Sequence, residues 1–294
     1  MPRTHVADLA SAETPFRSSF AGLLPVLLSL SACFLIPAPA EVHDTFANCL
    51  QFFLDREPPQ VVHLGHNYAR ICQRYNNAYR FATLYDRQNR IPVYSAYIYS
   101  PGVDERNEDW FVEPQLVKNI GSNRREMEDE RSQGIFEIFV KINASQAVSA
   151  DYRGVFEINR GQLNPNSHQP DADSRTATFT MTDAVPQYNV LNGGTWADYK
   201  ASVAQRAQGC RETYIVTGAV PGNNYISACR INKPSHIWSA GCCVIDNNHK
   251  RSWAVIAQND ENKITQMTLR RLQDKLRHLY NTEVDLFHSS CYPD

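Results

Sequence analysis

Between residues 267 and 280 apolar side chains return every three or four positions, at Leu269, Leu272, Leu276 and Leu279, with charged residues between them. That spacing predicts an amphipathic helix with one face on a core. A second helix is expected from Asn192 to about residue 208, where Trp196, Tyr199 and Val203 fall on one side. Elsewhere the pattern is shorter. Residues 81–86 and 93–99 are rich in aromatic and β-branched side chains, and the polar segment 86–92 reads as a turn between two strands. Residues 152–158, 177–182, 214–220 and 253–258 are further strand candidates. Helices and strands follow one another in mixed order rather than in regular alternation. The expected fold is therefore α+β, with a mixed or antiparallel sheet in one domain.

Two stretches depart from this pattern. Residues 101–134 are polar, and the run 123–131 mixes charges of both signs, which reads as a solvated loop or exposed helix. Residues 20–37 form the one long apolar run. Arg3 and Arg17 precede it, and Ala38, Pro39 and Ala40 follow with small side chains suited to signal peptidase. We therefore expect a secretory leader over 1–40, cleaved after Ala40, and a secreted domain over 41–294; the leader's length and its Asp8 and Glu13 leave an uncleaved anchor as the alternative. No second apolar run precedes Asp294, so no stable membrane association is expected after cleavage.

Composition adds little to the fold and more to the compartment. The 294 residues are 43% hydrophobic and 20% charged, which is ordinary for a soluble globular protein. The formal net charge of −2 provides no global field for nucleic acid, although a local basic cleft is compatible with it. Of eight cysteines, Cys33 lies in the expected leader; Cys49, Cys72, Cys210, Cys229, Cys242, Cys243 and Cys291 remain. Their number is odd, so export predicts disulfides with one thiol left free or joined to another chain as a covalent dimer. Asn143 heads an Asn-Ala-Ser glycosylation sequon. His63 and His66 offer a weak surface metal site at most.

The candidate chemistry sits in Asn159-Arg160-Gly161-Gln162, then Asp183-Ala184-Val185-Pro186-Gln187, then Leu191-Asn192-Gly193-Gly194-Thr195-Trp196. These segments resemble the DNA/RNA non-specific endonuclease family, whose signature reads Asp-Arg-Gly-His, Asn-x-x-Pro-Gln and Leu-Asn-x-Gly-x-Trp. Segments 71–77, 81–85, 90–97, 216–222 and 231–243 are similar to its endonuclease domain-containing 1 group. The resemblance implies a ββα-metal (His-Me finger) core. It also implies magnesium as cofactor, DNA or RNA as non-specific partner, and phosphodiester hydrolysis as activity.

Carried over residue by residue, the resemblance splits. Arg160 is implied near the phosphate and Asn192 as the direct metal ligand. Gln162 stands where the family's general-base histidine stands, and an amide takes no proton near neutral pH. Asn159 replaces the usual aspartate, and Asp183 the usual asparagine. Lys200, eight residues after Asn192, holds the helical position of the glutamate that supports the metal. An ammonium there repels magnesium, and a lone carboxamide is a weak ligand for an ion that dehydrates reluctantly. Loss of the base alone removes roughly 10²–10⁴-fold of rate. The expectation is a nuclease-like pseudoenzyme that retains nucleic-acid binding. Two alternatives stand beside it: a weak magnesium endonuclease using hydroxide or His168, and a non-enzymatic secreted interaction protein. His168 itself reads better as a loop histidine with local hydrogen bonds, and His236 as structural. Arg70, Arg74, Arg80, Arg87 and Arg90 are all candidates for a second arginine on phosphate.

Overall fold

The computed structural model describes residues 41–61, 67–103, 109–120, 123–288 and 290–291. The leader, Cys33, His63 and His66 lie outside the described residues. The chain opens with β1 (Val42–His43), two 3-10 turns over Leu50–Phe52 and Leu54–Arg56, then β2 (Tyr68–Tyr75), β3 (Ala78–Asp86) and β4 (Ile91–Ile98). Short strands β5 (Phe111–Val112) and β6 (Glu128–Asp129) pair with each other and lead into helices α1 (Gln133–Phe136) and α2 (Phe139–Ser145). Next come β7 (Ile158–Gln162), α3 (Ala172–Ala177), β8 (Ala184–Tyr188), α4 (Asn189–Asn192) and α5 (Thr195–Arg206). The chain closes with β9 (Glu212–Val220), β10 (Asn224–Ile226), β11 (Ile231–Lys233), β12 (His236–Val244), β13 (Lys250–Gln258), β14 (Thr265–Met267) and α6 (Leu269–Tyr280).

Eight strands form one antiparallel sheet in the order β1-β2-β3-β4-β9-β12-β13-β14. Both its faces are covered, and the alternation along β13 shows how. Trp253, Val255 and Ala257 point into one apolar layer, Ala254 and Ile256 into the other. The first layer holds Leu163, Val185, Leu191, Trp196 and Val203, so the β7–β8–α5 unit packs there. The second holds Leu269, Leu272 and Leu276 of α6 with Phe46 and Phe53 of the N-terminal turns. The helix expected over 267–280 is α6, and the strands expected at 81–86, 93–99, 214–220 and 253–258 are β3, β4, β9 and β13.

Three boundaries are corrected. The strand expected over 152–158 begins only at Ile158, because a 3-10 turn occupies Ser149–Tyr152. The strand expected over 177–182 is the end of α3 followed by turns, and its place is taken by β8 at Ala184–Tyr188. The helix expected to open at Asn192 starts at Thr195, after the Gly193-Gly194 pair breaks it from α4. Within the polar stretch 101–134, Arg124 is not a solvated charge: Nη1 meets Glu128 at 2.6 Å and Nη2 donates to the Gly134 carbonyl at 3.0 Å.

Among the described residues three disulfides are present: Cys49–Cys72, Cys210–Cys243 and Cys242–Cys291. Cys229 is the unpaired thiol among the described residues and is exposed, in the turn that joins β10 to β11. Among the described residues no helix is long and apolar enough to cross a membrane.

Candidate active site

β7 and β8 pair antiparallel, with Asn159 opposite Gln187, Arg160 opposite Pro186, and Gly161 opposite Val185. α4 follows β8 directly and is tied back to the start of β7. Asn189 donates from its backbone N to the Glu157 carbonyl at 2.9 Å, and from Nδ2 to the Phe156 carbonyl at 2.8 Å. The backbone conditions for this strand–strand–helix unit are strict at two glycines. A Cβ on Gly161 would lie 2.2 Å from Gln187 Oε1 and 2.7 Å from its Cβ, and Gln187 is buried. At Gly194 it would meet Asn262 Oδ1 at 2.2 Å and the Val190 carbonyl at 2.5 Å. Asn262 Oδ1 is there because it caps α5, accepting from Thr195 N at 2.7 Å. Trp196 is buried against Tyr199, whose hydroxyl donates to Ser239 and accepts from Trp253 Nε1, fixing α5 on the central sheet.

The polar residues fall into separate environments. Strand alternation puts Arg160 and Gln162 on one side of β7, with exposed Asn159 on the other. Gln162 Nε2 donates to the Thr178 carbonyl at 2.8 Å and to Thr178 Oγ1 at 2.9 Å, so its amide is committed to the turn after α3. Arg160 lies over the Trp110 ring at 4.3 Å and donates from Nη1 to Ser149 Oγ at 3.2 Å. Neither Thr178 nor Trp110 stood out in the sequence. A lone tryptophan in a polar run was the one available signal for the second.

Asp183 is fully buried and accepts from Ser95 Oγ at 2.6 Å and from Asn164 N. Burial without a cation raises its carboxyl well above the usual range. From Ser95 a chain of hydrogen bonds runs through Thr83, Gln73 and Thr182 to Glu113, a second buried carboxyl. Glu41, directly after the expected cleavage point, is a third: it accepts from Arg74 N at 2.6 Å and its pKa is raised by burial and by Glu113. Asp183 thus supports the interior rather than an open site.

Asn192 is the last residue of α4, and its Oδ1 accepts a hydrogen bond from Lys200 Nζ at 3.4 Å. Burial lowers the Lys200 ammonium below its ordinary range. His168 is 3% exposed, with Nδ1 3.0 Å from the Tyr97 hydroxyl and Nε2 3.0 Å from the Lys200 carbonyl. Both ring nitrogens are engaged, and burial lowers its pKa to about 4. It holds the Lys200 backbone and is closed to a substrate. His236 is a half-buried sheet residue bonded to Ser235. Of the arginine candidates, Arg80 is held by Asp173 at 3.0 Å and Asp171 at 3.5 Å, and Arg74 bonds Asn77. Arg87 and Arg90 donate to carbonyls, and Arg70 lines a separate surface cavity with Lys118.

The chain thus runs from a strand pair through a glycine-broken turn into a helix, with Arg160 on the strand and Asn192 at the break. The profile of the DNA/RNA non-specific endonuclease family matches residues 66–288. The chain belongs to that family. Endonuclease domain-containing 1 protein of mouse is 30% identical over 278 residues, covering 92% of this chain and 52% of the mouse protein. The human protein is 31% identical over 257 residues, covering 84% of this chain and 48% of its own length. The chain thus spans about half the length of these relatives. A crystal structure of an EndoG/EndoGI complex, titled for the mechanism of EndoG inhibition, aligns with a TM-score of 0.51 at 16% identity. That alignment covers 73% of this chain and 86% of the other, and it shows the shared fold.

The family is typically metal-dependent, so the donor set decides how far that property extends here. Asn192 contributes one neutral oxygen, and that oxygen already accepts from an ammonium. Among the described residues no group of three or more His, Cys, Asp or Glu side chains is placed to hold a metal ion. Magnesium prefers several hard, charged or water oxygens in octahedral array. The residues at this position do not fit it.

Proposed function

We propose that this protein is a secreted nuclease-fold protein that binds nucleic acid without magnesium-dependent hydrolysis. The observation that carries the reading is the contact between Lys200 Nζ and Asn192 Oδ1, which puts a fixed positive charge on the oxygen that would face the metal. A lysine there contributes attraction for phosphate but no activated water. Gln162 supports the same reading, since its amide is anchored on Thr178 and carries no titratable proton near neutral pH. Arg160, two residues along the same strand face, supplies a second cation for the backbone of DNA or RNA.

Plasmid and RNA cleavage, with magnesium and with chelator, tests this on the wild type, Gln162→His and Gln162→His/Lys200→Glu. The wild type should be inert and the double variant should cut. Cleavage by the wild type that is lost in Asn192→Ala would overturn the reading and restore a weak magnesium endonuclease. Export is part of the same proposal and is supported by the three disulfides and by the leader pattern. N-terminal sequencing of protein from culture medium should begin at Glu41. A covalent dimer would run through Cys229 and should then appear on a non-reducing gel and vanish in Cys229→Ser. Asn143 lies in α2 and is partly exposed; a mobility shift on glycosidase treatment reads its occupancy.

A further inference from the structure

Beside Arg160 the surface opens into a cavity of about 530 Å³, within the range of small-ligand pockets. Its walls are unusual for a protein surface. Trp110, Phe136 and Phe139 contribute aromatic rings, and Arg131, Arg153 and Arg160 contribute guanidiniums. Phe136 is 74% exposed, an aromatic ring left largely in water at the end of the four-residue helix α1. The cavity's two carboxylates already have donors. Glu130 accepts from Ser149 N at 3.1 Å and from Ser149 Oγ at 2.5 Å, and Asp109 pairs with Arg131. Arg131 is itself held by Asp109 and Asp129, so the cavity offers a ligand its aromatic faces with Arg153 and Arg160 as the cations beside them.

Its position matters as much as its lining. Arg160 belongs both to this cavity and to the strand face that bears Gln162. Alternate residues on a strand are about 7 Å apart, close to the spacing of successive phosphates along an extended nucleic-acid strand. A phosphate bound on the β7 face beside Gln162 would place its neighbouring nucleoside at the Trp110–Phe136 cavity through Arg160. A base in a duplex is stacked on both faces and cannot enter; an unstacked base can.

Resting on the nucleic-acid-binding reading above, we propose that this cavity is a nucleobase pocket. The protein then prefers single-stranded DNA or RNA, with one base inserted against Phe136 and Phe139 and the adjoining phosphate met by Arg153 and Arg160. Aromatic rings accept any base, so the pocket selects strandedness rather than sequence.

The test is fluorescence anisotropy at low salt with three labelled probes: a short single strand, its duplex, and a single strand carrying abasic sites. Full-length mature wild type, Phe136→Ala and Arg160→Ala are compared. Wild type should bind the single strand more tightly than the duplex, and Phe136→Ala should reduce that preference by roughly 5- to 100-fold, the weight of one base–aromatic stack. Abasic strand should bind wild type about as weakly as intact strand binds Phe136→Ala. Intrinsic fluorescence gives a second readout, because Trp110 lines the cavity while Trp196, Trp238 and Trp253 are buried. Its quenching by single strand should disappear in Trp110→Phe. Equal affinity for single strand and duplex, or an unchanged preference in Phe136→Ala, overturns the pocket while leaving nucleic-acid binding intact. Absence of binding to every probe overturns both.

Discussion

The floor of the β7–β8–α5 unit and its polar mouth follow different rules. On the floor, Gly161, Leu191, Gly194 and Trp196 match the family signature, and each has a steric reason to be what it is. Two glycines face atoms closer than 3 Å to any added Cβ, and the two apolar side chains are buried in the same layer. At the mouth, Gln162 and Lys200 depart from the pattern, as Asp183 does in the interior beneath, and each makes local hydrogen bonds. Packing fixes a backbone shape without fixing which polar side chains stand on it. Function has to be argued from those side chains, not from the fold.

The sharpest way to break this comparison is at the floor. Trp196→Ala should cost about 3–5 kcal/mol in urea unfolding, from lost burial and the cavity left behind. A loss below about 1 kcal/mol would mean that the floor does not hold the unit. Next comes His168, which joins floor to mouth through Tyr97 and the Lys200 carbonyl. Its folded pKa of about 4 lies below the ordinary 6.5, so between these values the unfolded chain takes up a proton that the folded chain refuses. Stability therefore falls as pH drops from 6.5 towards 4, by up to about 3 kcal/mol. Asp183, with its raised pKa, acts in the opposite sense: the folded state keeps its proton longer, and stability falls as pH rises above the ordinary aspartate value. The difference between wild type and His168→Gln across this window isolates the histidine. A pH-independent difference would show that it is not buried as a neutral ring.

The smallest effect is expected at the mouth itself. Lys200→Met should change stability by no more than about 1 kcal/mol, since the lost hydrogen bond is offset by relief of a half-buried ammonium. Lys200→Glu should acquire a magnesium-dependent rise in melting temperature that the wild type lacks. A wild type already stabilised by magnesium would break the comparison from the other side.

The sequence disclosed the central sheet and α6 far better than the β7–β8–α5 unit. α6, β3, β4, β9 and β13 carry long apolar patterns, and periodicity found them. β7 was misplaced because Asn159-Arg160-Gly161-Gln162 has no strand-like composition; it is extended by pairing with β8, not by propensity. β8 itself contains Pro186, which argues against a strand unless the strand is an edge, as both members of this two-stranded pair are. At the site, substitution at Gln162 and Lys200 was visible by position. Their new partners were not, because Thr178 and Asn192 are brought to them by tertiary structure. The buried carboxyls Glu41 and Glu113 gave no sequence signal at all, since acidic residues ordinarily read as surface.

Cys242 and Cys243 are neighbours on β12, yet one joins Cys291 in the α6 layer and the other joins Cys210 beyond α5. Successive residues of a strand face opposite ways, so this dipeptide rivets the sheet to the layers above and below it at a single point. Exchanging the two partners would demand that β12 turn over, carrying Trp238 and Ile237 into the wrong layers. Oxidative pairing and strand orientation are therefore one choice: both bonds are compatible with only one way round for β12.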